Sequence, residues 1–229
     1  MLGDMISDDR GARQLVLVRH GRTPWNAIDR AQGHTDVQLD EHGLEQSVAA
    51  ARVLALYAPV RLWTSDLARA RQTAGCIEDV TGLRAEVDPR LREFDVGVRA
   101  GLSREEFAER YPDEYAAWAA GSPGPLVPGE ETGGSVQARI GAALEDYLAA
   151  LQPGQTGIVV THGSALKVGL VAAIGWDAAV ARSIKGMDNG AWAVLVADPD
   201  HDRPRLAAYN LLPRRRTPTA DFASGEGVG

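Results

Sequence analysis

Two histidines, His20 and His162, each end an apolar run and each precede a glycine: Leu15-Val16-Leu17-Val18-Arg19-His20-Gly21 and Gly157-Ile158-Val159-Val160-Thr161-His162-Gly163. A buried strand of branched apolar residues is a rigid platform, and the glycine lets the backbone turn so that neighbouring side chains face a shared pocket. Thr64-Ser65-Asp66-Leu67-Ala68-Arg69 and Arg90-Leu91-Arg92-Glu93 follow two further expected strands. In open α/β sheets ligands bind at the carboxyl ends of the strands, so these segments are expected to converge on one crevice.

Two histidines, at least two arginines and a glutamate suit a phosphate ester. Planar guanidinium groups match the oxygens of a phosphate dianion with paired, charge-assisted hydrogen bonds. Helices expected to begin near Ser65 and Ser164 would add backbone N–H groups and the positive end of a dipole. One neutral imidazole can attack phosphorus, while a second, charged by the bound phosphate, donates to the oxygens where charge accumulates. Glu93 can then protonate the leaving oxygen and later take a proton from the attacking water.

The elements that must position these groups read as an α/β three-layer sandwich, a mostly parallel sheet flanked by helices. Apolar runs predict strands over Gln14–Val18, Arg61–Thr64, Arg84–Val87, Gly157–Val160, Ala191–Val196 and Leu206–Tyr209. Leu44, Val48, Ala51 and Leu54 repeat at helical spacing after a cap at Asp40, and Leu67, Ala70, Ala74 and Ile77 do so after Ser65-Asp66, where Asp66 reads as a cap. Ser103-Arg104-Glu105-Glu106 is a capping box whose helix should halt at Tyr111-Pro112, with a second short helix through Trp118. The glycine- and proline-rich stretch 121–134 precedes a long helix from about Ser135 to Leu151. We expect a flexible N-terminus over 1–13, a domain over 14–212 with a small lid insertion, about 93–134, over the strand C-terminal ends, and a disordered tail over 213–229.

The 229 residues, 45% of them hydrophobic, suffice for a full core. A net charge of −7 without a sustained basic run in the folded part argues against a nucleic-acid partner. Cys76 is the single cysteine, so no intrachain disulfide can form. No stretch approaches the roughly 20 apolar residues of a membrane span, and the first residues lack a signal-peptide core. These features predict a cytoplasmic protein acting on a small molecule, with no membrane partner.

Leu17-Val18-Arg19-His20-Gly21, Trp25-Asn26, Gln32-Gly33, Ser65-Asp66-Leu67, Arg69-Ala70, Gln72-Thr73, Leu91-Arg92-Glu93 and Thr161-His162-Gly163 together resemble the histidine phosphatase superfamily, also called phosphoglycerate mutase-like. The resemblance spans residues 14–212. It implies His20 as the phosphorylated nucleophile, Arg19, Arg69 and His162 as the phosphate pocket, and Glu93 as proton donor. Asn26 and Gln32, with Thr23, Gly33 and Gly163 in the same motifs, are the further phosphate contacts it implies. It implies no cofactor and no metal, a small phosphorylated metabolite as partner, and a homodimer as a common state. Glu93 is followed by Phe94-Asp95-Val96-Gly97 and Gly163 by Ser164-Ala165-Leu166-Lys167. Both departures resemble the phosphatase branch more than the mutases. The stretch Gly186–Trp192 with Tyr209-Asn210 is similar to actinobacterial phosphatases acting on glucosyl-3-phosphoglycerate.

Arg22, Val98-Arg99-Ala100-Gly101 and Gly129-Glu130-Glu131-Thr132 depart from the family pattern outside the phosphate pocket, which leaves open an unusual leaving group or a broad-specificity enzyme. The alternatives are a cofactor-dependent phosphoglycerate mutase and a catalytically silent phospho-ligand scaffold. Ser164-x-x-Lys167 formally matches serine acyl-transfer enzymes, but the companion Lys-Thr-Gly is absent. No His-x-His or close carboxylate cluster points to a metal. His34, His42 and His201 read as surface or loop residues, Arg71 as solvated, Arg92 as half of a structural ion pair, and Trp118 as the tryptophan to test against an apolar leaving group.

Overall fold

A computed structural model describes residues 11–121 and 127–213. Most of the expected N-terminal and C-terminal segments, and residues 122–126 of the glycine- and proline-rich stretch, lie outside these.

Six strands form one sheet: β1 (Arg13–Arg19), β2 (Arg61–Thr64), β3 (Ala85–Val87), β4 (Thr156–Thr161), β5 (Trp192–Ala197) and β6 (Arg205–Leu211). Their spatial order is β3-β2-β4-β1-β5-β6. β3, β2, β4 and β1 are mutually parallel, while β5 runs antiparallel to both β1 and β6. All six expected strands are present, with ends shifted by up to two residues. The helices are α1 (Pro24–Ala27), α2 (Glu41–Leu54), α3 (Ala68–Thr81), α4 (Arg104–Arg110), α5 (Pro112–Ala119), α6 (Gly133–Ala149), α7 (Gly163–Ile174) and α8 (Val180–Ser183).

Alternation along β1 builds two cores at once, because successive side chains point to opposite faces. Leu15 and Leu17 join Val159 and the apolar faces of α6 and α7, while Val16 and Val18 join Ile158, Val160 and those of α2 and α3. The result is the expected helix–sheet–helix sandwich. Asp40 caps α2 by accepting from the Gly43 amide at 2.7 Å, and Ser103 with Glu106 forms the expected capping box of α4.

The helix after β2 begins differently from expectation. Leu67 is its N-cap and has no side-chain bond, whereas Asp36 Oδ1 accepts from the Ala68 amide at 2.6 Å. Asp66 does not cap because Arg92 takes its carboxylate, Nε donating to Oδ1 at 2.9 Å. The long helix begins at Gly133, with Thr132 as its cap, two residues before the expected start. Leu102, Phe107 and Val127 form a small separate core in the segment between Glu93 and Gly134. No helix among the described residues is long and apolar enough to cross a membrane.

Candidate active site

In the parallel pairing of β1 with β4, Arg19 lies opposite Thr161. The next residues, His20 and His162, therefore leave the sheet side by side, with ring centroids 5.1 Å apart and planes tilted by 60°. Gly21 makes this possible, since a Cβ there would lie 2.3 Å from the Gly43 carbonyl oxygen in α2. The Gly21 amide donates to Thr73 Oγ1 at 3.1 Å.

His20 is buried, and its Nδ1 stands 2.7 Å from the Gly21 carbonyl. A carbonyl only accepts, so Nδ1 carries the hydrogen and Nε2 keeps its lone pair. Burial, then the charges of Arg69 and Arg19, hold the His20 pKa well below its usual 6.5 and keep the ring neutral.

His162 is fully buried, and both of its nitrogens are engaged. Arg69 Nε donates to Nδ1 at 3.2 Å, so Nε2 bears the hydrogen and donates to Ser65 Oγ at 2.9 Å. Burial and the charge of Arg69 depress its pKa as well. The ring is neutral and does not line the cavity, its two nitrogens being held by Arg69 and Ser65.

Arg69 is 1% exposed, and Nη1 and Nη2 donate to the carbonyls of Thr35 and Gly33 at 2.9 and 2.8 Å. Each terminal nitrogen retains a second N–H. Burial lowers its pKa to about 10, so it stays charged at neutral pH. Arg19 donates from Nη1 to the Met187 carbonyl, and burial lowers its pKa too. Neither guanidinium forms an ion pair with a described carboxylate at contact distance, so positive charge remains for an anion.

Glu93 reaches into the same cavity from the loop after β3. Its Oε1 accepts from the amides of Phe94 and Ala165, both at 2.9 Å, and its Oε2 from the Ser164 amide at 3.0 Å. The first amides of α7 thus hold this carboxylate rather than awaiting a phosphate, and the first amide of α3 holds Asp36. Both helix N-termini are corrected in this respect. Oε2, with one donor, keeps the freer lone pair.

The cavity measures about 320 Å³. Arg19, His20, Asn26, Gln32, Gly33, Arg69 and Glu93 line it, while the expected contacts Thr23 and Gly163 do not. Thr23 is fully buried as the cap of α1, exchanging hydrogen bonds with Asn26. Gly163 gives Arg19 room, since a Cβ there would stand 3.1 Å from Arg19 Nε. Asn26 Oδ1 accepts from Thr23 and from Asn189 Nδ2, which leaves its own amide N–H groups as donors.

Sequence reading missed Asn189, which also donates to the His20 carbonyl at 3.1 Å; its one signal was the motif Gly186–Trp192. Arg30 and Phe94, also missed, form the outer wall together with Arg99 and Glu130 of the two stretches that depart from the family pattern. Trp118 lines that wall, with Arg99 and Arg104 each 5.6 Å from its ring. Arg92 pairs with Asp66 as expected, and His34 Nε2 donates to the Glu93 carbonyl at 2.9 Å. Among the described residues no group of three or more His, Cys, Asp or Glu could hold a metal ion.

The mixed α/β sheet with two histidines at the ends of its central strands agrees in fold with what comparison finds. The chain belongs to the histidine phosphatase superfamily (branch 1), whose family model matches residues 15–211. It is 33% identical over 190 residues to glucosyl-3-phosphoglycerate phosphatase of Mycobacterium tuberculosis, covering 80% of this chain and 85% of that one. It is 34% identical over 172 residues to a probable phosphoglycerate mutase GpmB of Yersinia pestis, covering 75% and 80%. Among solved structures, mycobacterial glucosyl-3-phosphoglycerate phosphatase in complex with VO3 aligns with a TM-score of 0.77 at 32% identity, over 86% of this chain and 98% of that one.

Proposed function

We propose that this chain is a metal-independent phosphomonoester hydrolase that works through a phosphohistidine on a small phosphorylated metabolite. One observation carries the reading: His20 is a buried, neutral imidazole with its Nδ1 hydrogen tied to Gly21 and its Nε2 lone pair facing a cavity flanked by two guanidinium groups. That is the state a nitrogen nucleophile needs, beside the charge its phosphoryl target needs.

In the first step His20 Nε2 forms a bond to phosphorus, the bond from phosphorus to the ester oxygen breaks, and Glu93 gives that oxygen a proton. Water then attacks the phosphohistidine and gives a proton to Glu93; the N–P bond breaks and inorganic phosphate leaves. Arg19, Arg69, Asn26 and Gln32 hold the equatorial oxygens throughout. His162 orients Arg69 and replaces its Ser65 contact with a phosphoryl oxygen as charge develops. The guanidinium groups supply the positive charge that a metal ion provides in other phosphatases.

Likeness to the mycobacterial enzyme favours glucosyl-3-phosphoglycerate as substrate, and its VO3 complex supports an oxyanion pocket in the common fold. The deciding experiment is a chase with labelled substrate. An acid-labile phosphoenzyme should form in wild type and be absent from His20→Ala, and free phosphate should be released in the presence of a chelator. A stable wild-type level of phosphoenzyme in His20→Ala would overturn the assignment.

The relatives named as phosphoglycerate mutases support a second reading, in which the phosphohistidine returns its phosphoryl group to a glycerate. Bisphosphoglycerate-dependent exchange between 2- and 3-phosphoglycerate without phosphate release would decide for it.

A further inference from the structure

Glu93 stands on a segment with almost no regular structure, a single helical turn at Pro89–Leu91 followed by loop. A proton donor must nevertheless be held within hydrogen-bond reach of the oxygen it serves. Arg139, on α6, spends three of its five N–H donors on this loop and the other two on Glu131. Nη1 donates to the carbonyls of Arg90 and Arg92 at 2.8 and 2.7 Å, and Nη2 to that of Glu93 at 2.9 Å. Nε and Nη2 each donate to the Glu131 carboxylate at 2.8 Å. Glu131 in turn accepts from the Asp95 amide at 3.3 Å, and its own amide donates to the Asp95 carbonyl at 2.8 Å.

We propose that Arg139 is the positioning residue of the acid–base step, fixing the backbone of residues 90–93 so that the Glu93 carboxylate meets the leaving oxygen. This rests on the reading of Glu93 given above. Arg139 does not line the cavity; its hydrogen-bonded link to the site runs through the backbone of residues 90–93, beside a longer-range effect of its charge on His162. Its fork geometry is what the arrangement requires, because three carbonyls and a carboxylate arranged around one plane match a guanidinium, whereas an ammonium offers three donors on a point charge. The other end of the clamp lies in the 127–134 return of the segment between Glu93 and Gly134, so the carboxylate's position is tied to that segment through Glu131.

The test exploits the leaving group. 4-Nitrophenolate departs without a proton, whereas the alkoxide of glycerol phosphate needs one, and kcat/KM reports only the steps through the first phosphoryl transfer. In Arg139→Met the ratio of kcat/KM for glycerol phosphate to that for 4-nitrophenyl phosphate should fall about 10- to 100-fold, the usual cost of a small misplacement of a reacting group. Arg139→Lys should recover part of the ratio. Should Arg139→Met fail to fold, Glu131→Gln loosens the same clamp with the arginine retained and must shift the ratio in the same direction. Equal losses on both esters, or none, would overturn the proposal. Glu93→Gln serves as the reference: if it leaves the ratio unchanged, the assignment of Glu93 falls, whereas a shifted ratio in Glu93→Gln with an unshifted one in the clamp variants sinks Arg139 alone.

Discussion

Arg69 Nε donates to His162 Nδ1 across 3.2 Å, and this one bond decides which nitrogen of His162 carries the hydrogen. The guanidinium and the imidazole therefore act as a unit, so their losses should not add. Arg69→Ala and His162→Ala are each expected to lower kcat about 10²- to 10³-fold, the scale of removing a preorganised donor, with the double variant little worse than either. Steady-state kinetics on the three variants checks this, and a double variant whose loss is the product of the two singles would show that the residues act independently.

The burial of two neutral imidazoles sets a pH dependence of stability. His20 and His162 have folded-state pKa values depressed below the usual 6.5, so at lower pH the unfolded chain binds protons that the folded one refuses. Stability is thus complete above about pH 6.5 and falls as pH drops below it, by about 1.4 kcal/mol per pH unit for each ring until the folded values are reached. Asp66 and Glu131, with pKa values lowered chiefly by Arg92 and Arg139 respectively, lose their contribution only further down, in the carboxylate range. Denaturant midpoints between pH 7 and 5 measure the first window, and His20→Ala should shallow that slope. A flat profile would mean that the folded protein accepts these protons.

Gly21→Ala tests the fit beneath His20. The added methyl would meet the Gly43 carbonyl oxygen at 2.3 Å and Ser47 Oγ at 2.6 Å. The first is backbone and cannot swing aside, so the loop or α2 must shift. Overpacking of this kind costs about 1–3 kcal/mol, and a drop of that size in unfolding free energy should accompany a loss of phosphoenzyme formation. Wild-type stability in this variant would contradict the close approach.

Arg99 tests the outer wall. Its guanidinium is held over Phe107 and Trp118 at 5.2 and 5.6 Å, with Glu130 3.5 Å away, in a wall that also includes Glu93. Arg99→Gln is expected to raise KM for phosphorylated polyols about 10-fold, the scale of losing a charged hydrogen bond, with a smaller change for 4-nitrophenyl phosphate. A substrate panel ranked by kcat/KM measures it. An unaltered ranking would remove Arg99 from leaving-group selection.

The sequence exposes the sheet and the convergence of its strand ends because these rest on local patterns: branched apolar runs, the glycines that end them, and caps such as Asp40 and Ser103. Asp66 shows where such reading stops. An aspartate before a helix satisfies the capping rule, yet Arg92, distant in sequence, offers a stronger partner, and Asp36 from another loop takes over the helix amide. Thr23 and Gly163 belong to site motifs but serve them from behind, one as a cap and the other as clearance for Arg19. Asn189 is marked only by the motif Gly186–Trp192, and Arg139 by none, since its partners are carbonyls and the Glu131 carboxylate, brought near by tertiary packing.

The pairing of β1 with β4 has a consequence for how the molecule is made. The strand that carries His20 waits for a neighbour that the ribosome delivers only after most of the chain has emerged, and contacts so remote in sequence form late. A nascent chain ending before Thr156 therefore carries His20 without His162. The paired imidazoles thus come together only once β4 has been made.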